Sequence, residues 1–379
     1  MKKYDYIFTG SGLSALMTLY KMVLSGKYND TSILLLDQDT KSNNDRTWCF
    51  WDQNNLFPDI IAKKWNYGLF ADAKYKRSLH FEPYQYKMIQ GVDFYKKNFG
   101  LIAQHDNIHF INEKVLHFKE ADTHCLVTTA AGTYTCDKIF NSIYTPETVK
   151  AQSQYPLLQQ HFIGWFIKTK EPAFDPDQAT FMDFSVEQKG NTRFMYVLPT
   201  SPTEALLEYT LFSKDLLPES EYESAIHKYI SELGITDYEI IEKEKGNIPM
   251  TSYKFWKQNT ENIIHMGSAG GWTKASTGYT FRNATKKAEA LVHFLSKESD
   301  FRKFYKKDKF WFYDLLFLDV LHRRNDLGSS VFGALFKNGN PKLIFKFLDE
   351  ETSYWEDLQV ILKCPKSLFI KALWKRVFN

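Results

Sequence analysis

The feature that most limits what this chain can fold into lies in its first 39 residues. "YDYIFTGSGLSALMTLYKMVLSGKYNDTSILLLDQD", from Tyr4 to Asp39, reads as a strand, a glycine turn, a helix and a second strand. Tyr4 to Thr9 is the first strand, Leu16 to Leu24 the helix, and Ser32 to Leu36 the second strand. Between strand and helix, Gly10-Ser11-Gly12-Leu13-Ser14-Ala15 matches G-x-G-x-x-G/A. Gly10 permits the tight turn, Gly12 lets the backbone approach a pyrophosphate, and Ala15 keeps the helix close to the strand. The helix N-terminus offers free N–H groups and a positive dipole end to phosphates. Asp37, at the end of the second strand, is placed to bond a ribose hydroxyl. An acid there disfavours a 2′-phosphate, so FAD or NAD fits better than NADP. A plain glycine-rich turn is the competing explanation, but it accounts for neither the flanking strands nor the acid at this offset. A long chain after an N-terminal fingerprint is common among FAD enzymes, which puts FAD ahead of NAD.

A second segment agrees with FAD. "IIHMGSAGGWTKASTGYTFRNATKKAEALVHFL" starts with a strand, Ile263 to Met266, followed by Gly267-Ser268-Ala269-Gly270. "ASTGYTF" follows, then a helix from about Arg282 to Leu295 with Ala284, Ala288, Leu291, Val292 and Leu295 as its apolar stripe. A strand, a glycine turn and a long helix late in the chain suit closure of a flavin pocket. Backbone N–H groups near Thr277 and Gly278 are then expected to face the pyrimidine end of the isoalloxazine.

Between these ends the pattern becomes strand-like. Lys114 to Ile143 alternates and turns as a β-meander that ends in a core strand, Lys138 to Ile143. "QHFIGWFIKTK", "ATFMDFSV", "TRFMYVLPT" and "EALLEYTLFS" read as four strands, the last two joined as a hairpin by "PTSPTE". "PESEYESAIHKYISELGI" reads as an amphipathic helix. One residue of the hairpin stands out. Glu208 sits in the apolar run Ala205 to Phe212. With period 2, Leu206, Glu208, Thr210 and Phe212 share one face, and Ala205, Leu207, Tyr209 and Leu211 the other. Neither face is obviously solvated. Two explanations stand at this point: a structural ion pair with a neighbouring-strand residue such as Arg193, or a carboxyl whose proton is used.

The chain has 379 residues, enough for two or three domain-sized units. A net charge of +3 is too small to argue for a nucleic-acid partner. Cys49, Cys125, Cys136 and Cys364 form no C-x-x-C pair, so no zinc, other metal or redox motif is expected. No signal-peptide core and no stretch of 18 or more apolar residues is visible. The expectation is a cytoplasmic protein, free or attached to one membrane face. Aromatic residues reach 16%, which is high enough to line a binding tunnel as well as a core.

The combination of motifs resembles the lycopene β-cyclases of bacterial carotenoid pathways. The resemblance rests on "GSGLSAL", "DRTWCFWD" (Asp45 to Asp52), "FMYVLPTSPTEALLEYTLFS", "KGNIPM" (Lys245 to Met250) and "GSAGGWTKASTGYTF", and it covers almost the whole chain. The hairpin motif is the most specific of these. The resemblance implies a non-redox flavoenzyme that closes β-ionone rings on linear lycopene. The family's essential hairpin acid falls on Glu208. The family often has a second acid directly after it, where this chain has Tyr209. Glu208 is therefore expected to work with the flavin and aromatic rings, without a carboxylate beside it. The chain lacks the Gly-Asp pair of flavin hydroxylases at Gly267 to Gly270, as lycopene cyclases commonly do.

Cyclisation begins with protonation of an unactivated alkene, which requires an acid protonated near neutral pH. An ordinary glutamate, with a pKa of about 4.3, is almost fully ionised there. Desolvation among Leu206, Leu207 and Leu211 favours the neutral form. The cation that follows must be kept from water, and aromatic faces stabilise it. The matched motifs offer Trp48, Phe50, Trp51, Tyr196, Tyr209 and Trp272. The cofactor residues implied are Gly10, Gly12, Ala15, Asp37, Arg46, Thr47, Gly267, Ser268, Ala269, Thr277 and Gly278. A reduced flavin is the active form on this reading, Glu208 acts either as the direct acid or as partner of a flavin acid, and NAD(P)H or another donor only keeps the flavin reduced.

The expected architecture is α/β. A Rossmann-like FAD-binding domain takes residues 1–80 and 245–300, with 100–145 contributing. A mostly antiparallel substrate domain takes 80–245, and a helical region 300–379. Lycopene dissolves in bilayers, so peripheral contact with the inner face of the cell membrane is expected. Phe369, Ile370, Leu373, Trp374, Val377 and Phe378 recur at helical spacing among Lys366, Lys371, Lys375 and Arg376, as in an interfacial helix. A terminal helix packed on the core with its lysines outward fits the same pattern. The aromatic, basic segment "KFYKKDKFWFYDLLFLDVLHRR" is expected near a substrate entrance. The competing function is an FAD-dependent monooxygenase or oxidoreductase acting on another lipid or aromatic substrate.

Overall fold

The computed structural model describes residues 2–305 and 307–378. The N-terminal unit forms as its sequence dictates: β1 (Lys2–Thr9), α1 (Leu13–Ser25) and β2 (Ile33–Asp37). Gly26, left-handed at φ +64°, ends the helix. Next come β3 (Thr47–Asp52), β4 (Lys63–Trp65), β5 (Tyr67–Asp72), β6 (Tyr75–His80), β7 (Gln85–Gln90) and α2 (Gly91–Ile102). β8 (Ile108–Asn112) leads to the expected meander, β9 (Val115–Glu120), β10 (Cys125–Thr129) and β11 (Thr133–Asn141). After the short α3 (Pro146–Lys150), the four expected strands appear as β12 (Leu158–Thr169), β13 (Gln178–Asp183), β14 (Thr192–Pro199) and β15 (Glu204–Ser213). α4 (Glu219–Glu232) and β16 (Tyr238–Met250) follow, and then β17 (Ile263–His265) and α5 (Phe281–Leu295). The chain ends in α6 (Lys309–Arg323), α7 (Gly328–Asn338), α8 (Pro341–Leu348), α9 (Tyr354–Ile361) and α10 (Lys366–Phe378).

Three sheets organise these elements. The nucleotide-type sheet runs β8-β2-β1-β11-β10-β9. Its β8, β2, β1 and β11 are mutually parallel, and β17 joins β11 in parallel. Strands covered on both faces read as continuous apolar runs, and Ile33 to Leu36 is fully buried. α1 and α5 lie on the same face, with Leu16, Leu19 and Met22 sharing one core with Ala284, Ala288 and Leu291. α2 packs into this same core through Phe94, Tyr95 and Ile102.

The second sheet runs β16-β12-β15-β14-β13-β5-β6 and is antiparallel except at β13–β5. Residues 67–80 thus form the edge of this sheet. Its two faces carry separate cores. Leu206 and Phe212 belong to one, with Phe332 and Phe345 from the C-terminal helices. Ala205, Leu207, Tyr209 and Leu211 belong to the other, under Tyr222, Ile226 and Ile230 of α4. Covering on both sides explains why the hairpin is apolar on both faces. A small sheet, β3-β7-β4, completes the fold.

α10 packs on α6 through Leu368, Phe369 and Ala372, and Arg376 holds Asp319 with two bonds of 2.6 and 2.8 Å. Its other side, with Ile370, Leu373, Trp374, Val377 and Phe378, is exposed. Of the two terminal-helix arrangements considered, the packed one accounts for only part of the apolar stripe. Among the described residues no helix is long and apolar enough to cross a membrane.

Candidate active site

A cavity of about 580 Å³ opens between the Gly10 turn and the β12–β15 region of the second sheet. Gly10, Gly12, Asp37, Arg46, Thr47, Gly267, Ser268, Thr277 and Gly278 all line it, as do Trp48, Tyr196 and Glu208. Two turns make its nucleotide-type end. Gly10 has φ +92°, and a Cβ there would strike the Ser142 hydroxyl. Gly12 caps α1 with no side-chain cap and no acid in the first turn, and nothing lies within 4 Å of where its Cβ would be. The result is a positive helix end facing open space, a cradle for an anion. Asp37 stays on the cavity wall while its Oδ2 accepts from the Ser11 N–H (2.6 Å) and hydroxyl (2.8 Å), which fixes the turn. Ala15 is fully buried behind the turn, and Ala269 is buried behind the cavity wall.

The expected role of the Thr277 and Gly278 N–H groups is corrected. Both donate to the Lys274 carbonyl, at 3.3 and 2.8 Å, and close a tight turn instead. What the turn leaves toward the cavity is the buried Thr277 hydroxyl, which has no partner. The Gln160 side-chain oxygen is likewise buried and unpartnered. Gly278, at φ +75°, approaches Gln160 so closely that a Cβ would collide with it. Unpartnered buried polar atoms are costly unless a ligand or water satisfies them. Two such atoms beside a glycine cradle fit the polar edge of a flavin.

The chemistry-bearing end lies on one cross-strand row of the second sheet. Tyr196 of β14 pairs with Glu208 of β15, Glu208 with Gly164 of β12, and Gly164 with Glu244 of β16. Gly164 has no side chain, so the glutamates on either side lean over it. A Cβ built on Gly164 would lie 3.4 Å from Glu208 Cβ and 3.2 Å from Glu244 Cγ. Glu208 accepts from the Thr210 hydroxyl at 2.6 Å, and Glu244 from the Thr47 hydroxyl at 2.8 Å. The two carboxyls are within hydrogen-bonding reach of each other. Glu208 is half-buried and opens onto the cavity, while Glu244 is buried. Burial first, and then the Glu244 charge, push the Glu208 carboxyl well above the ordinary range. Burial also raises Glu244, against the Thr47 hydrogen bond. The pair therefore retains a proton near neutrality.

Glu244 was not singled out by sequence reading, and it overturns the expectation that Glu208 has no carboxylate beside it. The next residue in the chain is Tyr209, but the second acid comes from another strand. The Arg193 ion pair is also excluded. Arg193 lies on the opposite face, bound to Glu221 at 2.8 Å and to the Tyr209 hydroxyl at 3.3 Å. Among the described residues Glu208 and Glu244 form no ion pair. Glu244 was hidden by its surroundings: Glu239, Glu242, Lys243 and Lys245 make β16 read as a solvated edge.

The aromatic wall is partly the expected one. Trp48 and Tyr196 are present, joined by Tyr86 and Tyr279, which sequence reading missed. The Tyr279 hydroxyl lies 3.3 Å from that of Tyr86 and 3.4 Å from that of Tyr196. Burial drives Tyr86 and Tyr196 well above the ordinary phenol value, so both stay neutral. Tyr209 and Trp272 are corrected. Tyr209 points to the other face of the sheet, as period 2 requires, and Trp272 packs in the core of the nucleotide-type unit. Phe50 stacks on Phe281 and Trp51 on Phe345; neither lines the cavity, although Trp51 packs edge-on behind Tyr279 at 4.6 Å.

The lycopene cyclase protein family model matches residues 5–373. A lycopene beta-cyclase of a Paracoccus species is 30% identical over 138 residues, so the match spans only 35% of that relative and 35% of this chain. The lycopene beta-cyclase of Pantoea ananas is 23% identical over 303 residues, 76% of this chain and 74% of that protein. A flavoprotein/dehydrogenase from Cytophaga hutchinsonii superposes with a TM-score of 0.66 over 99% of this chain and all of its own, at 12% identity, a likeness of fold. With a match that runs through both glycine turns, the hairpin acid and its partner strand, the chain belongs to the lycopene cyclase protein family.

Proposed function

We propose that the protein is a lycopene β-cyclase, a non-redox flavoenzyme that isomerises the linear ends of lycopene to β-ionone rings. The observation that carries this reading is a half-buried glutamate without a cationic partner among the described residues, its carboxyl pushed up by burial and by Glu244, that opens onto a cavity walled by Trp48, Tyr86, Tyr196 and Tyr279. Glu208 delivers its proton to the terminal alkene. The rings face the resulting cation, each worth about 0.5–2 kcal/mol. The phenols stay neutral, and at this end the aromatic side chains take the place of water that would trap the cation as an alcohol. Gly10, Gly12, Asp37, Gly267, Ser268 and the Thr277 hydroxyl would hold FAD. Bound there in reduced form, the flavin would supply negative charge beside the cation, with NAD(P)H or another donor only keeping it reduced.

The test is expression in bacteria engineered to accumulate lycopene. The expected result is a change from red to orange-yellow pigment, identified as cyclised carotene by chromatography. Soluble, flavin-loaded protein with unchanged lycopene would overturn the reading. A monooxygenase would instead consume NAD(P)H and oxygen once per product.

The substrate resides in bilayers, and the exposed side of α10 suits an interfacial contact at the inner face of the membrane. Ile370, Trp374 and Phe378 are each more than half exposed, beside Lys371 and Lys375. The full chain should co-sediment with anionic vesicles at low salt. Trp374→Ser with Phe378→Ser should weaken that binding about tenfold or more, since burying each ring is worth roughly 1.5–3 kcal/mol. Equal sedimentation of the double variant would remove α10 from the contact.

A further inference from the structure

We propose that Glu208 and Glu244 act as one shared-proton pair, seated by the missing side chain of Gly164, with Glu244 as the residue that positions and holds the Glu208 proton. The inference rests on the cyclase reading above. Three observations carry it. The register puts Glu208, Gly164 and Glu244 in a single row, and the missing side chain of Gly164 leaves the space over which the two glutamate stems lean toward each other. Each glutamate has one hydroxyl donor of its own, Thr210 for Glu208 and Thr47 for Glu244. Neither has a cationic partner among the described residues, so buried repulsion is relieved only if one carboxyl keeps its proton. Like-charge carboxyls at such separation do not both ionise readily.

The other charged or titratable groups facing the pair come from several elements. They are Cys49 of β3, Tyr86 of β7, Tyr196 of β14, Tyr279 before α5, Glu242 of β16 and Arg46 before β3. Burial raises Cys49 and the three phenols, so they remain neutral at the pH values where a carboxyl pair titrates. Arg46 and Glu242 act on Glu244 in opposite directions.

The step balances without an outside reagent. The O–H bond of Glu208 breaks and leaves its electron pair on oxygen, while the π pair of the terminal alkene forms the new C–H bond. The next alkene donates its π pair to close the ring C–C bond. A ring C–H bond then breaks, its pair becomes the ring double bond, and the proton returns to the carboxylate pair. In between, the pair carries two negative charges facing one cation. Reactant and product are isomers, and nothing is oxidised or reduced.

The test is the pH dependence of ring formation by the FAD-loaded full chain. In the wild type, activity should fall as pH rises through the titration of the pair. Glu244→Gln removes the like charge, so Glu208 should ionise at lower pH. The alkaline limb should move down by about one pH unit or more, and kcat at pH 8 should fall about tenfold or more while KM stays within about twofold. Glu244→Asp should restore part of the limb. Gly164→Ala keeps both carboxyls but adds a methyl that meets Leu206 Cδ1 at 2.8 Å and Glu244 Cγ at 3.2 Å, which should push the Glu244 stem away from Glu208 and move the limb in the same direction. It also decides the matter if Glu244→Gln does not fold. An alkaline limb in the wild-type position in a folded Glu244→Gln, or in Gly164→Ala, overturns the pair. If that occurs while Glu208→Gln is inert, the pair fails alone. If Glu208→Gln cyclises normally, the cyclase reading of Glu208 fails with it.

Discussion

Glu208→Gln should lower ring formation by about 10²–10⁴-fold, the usual contribution of a general acid, while flavin loading and fold survive. The amide keeps the volume of the carboxyl, and its oxygen can still accept from the Thr210 hydroxyl at the 2.6 Å position. What disappears is the transferable proton. The variant also carries a distinctive stability signature. The folded-state pKa of Glu208 lies above its unfolded value, so the native state binds the proton more tightly. Its contribution is fully present below the unfolded value, near 4.5, and is lost as pH rises through the folded value. Wild-type stability should therefore decline from about pH 4.5 to about pH 8 and level off above, and Glu208→Gln should flatten the decline. Chromatography of the carotenoids, flavin absorbance and thermal melts across pH check the three statements. A Gln variant that cyclised within a few-fold of wild type would remove Glu208 from the chemistry.

Lys274→Met should destabilise the protein by about 3–5 kcal/mol, the cost of leaving buried charges without their partner. Lys274 is only 3% exposed, and its Nζ sits 3.0 Å from Asp314 Oδ1 and 2.9 Å from Glu350 Oε1. Burial alone would lower its pKa, but Asp314 and Glu350 hold it above the ordinary lysine value. The effect reaches the site through the backbone. The Lys274 carbonyl accepts from the N–H groups of Thr277 and Gly278, and its own N–H donates to the Tyr279 carbonyl. One lysine thus ties the turn that presents Thr277, Gly278 and Tyr279 to α6 and to the segment between α8 and α9. Denaturant titration should show the loss, and flavin retention should fall in parallel. Adding Asp314→Asn and Glu350→Gln should recover part of the stability, because the stranded charges go too. A loss under about 1 kcal/mol would mean that water reaches these carboxylates when the lysine is gone.

The parts of the site that were legible in the sequence share one property: each depends on residues close together in the chain. The Gly10–Ala15 turn, the hairpin and the alternation that puts Glu208 beside Leu206 and Phe212 are local. So is the helical stripe of α10, although only the structure shows how much of it α6 leaves uncovered. Tyr209 was misjudged because a motif match ignores the side of the sheet that a residue faces. The Thr277 and Gly278 N–H groups were misjudged because a turn can consume its own donors.

By itself, the sequence determined the βαβ unit with its glycine cradle, the strand order of the hairpin and the face of it on which Glu208 lies. Covalent geometry and the period of buried residues suffice for these. Only the tertiary structure decided what stands beside that acid. Glu244 reaches Glu208 because β12 lies between their strands in one register and carries a glycine at the crossing point. That register is set by burial of both faces of a seven-stranded sheet, and no single strand contains the information. A residue that reads as one more charge on a solvated edge becomes, across Gly164, the neighbour of Glu208.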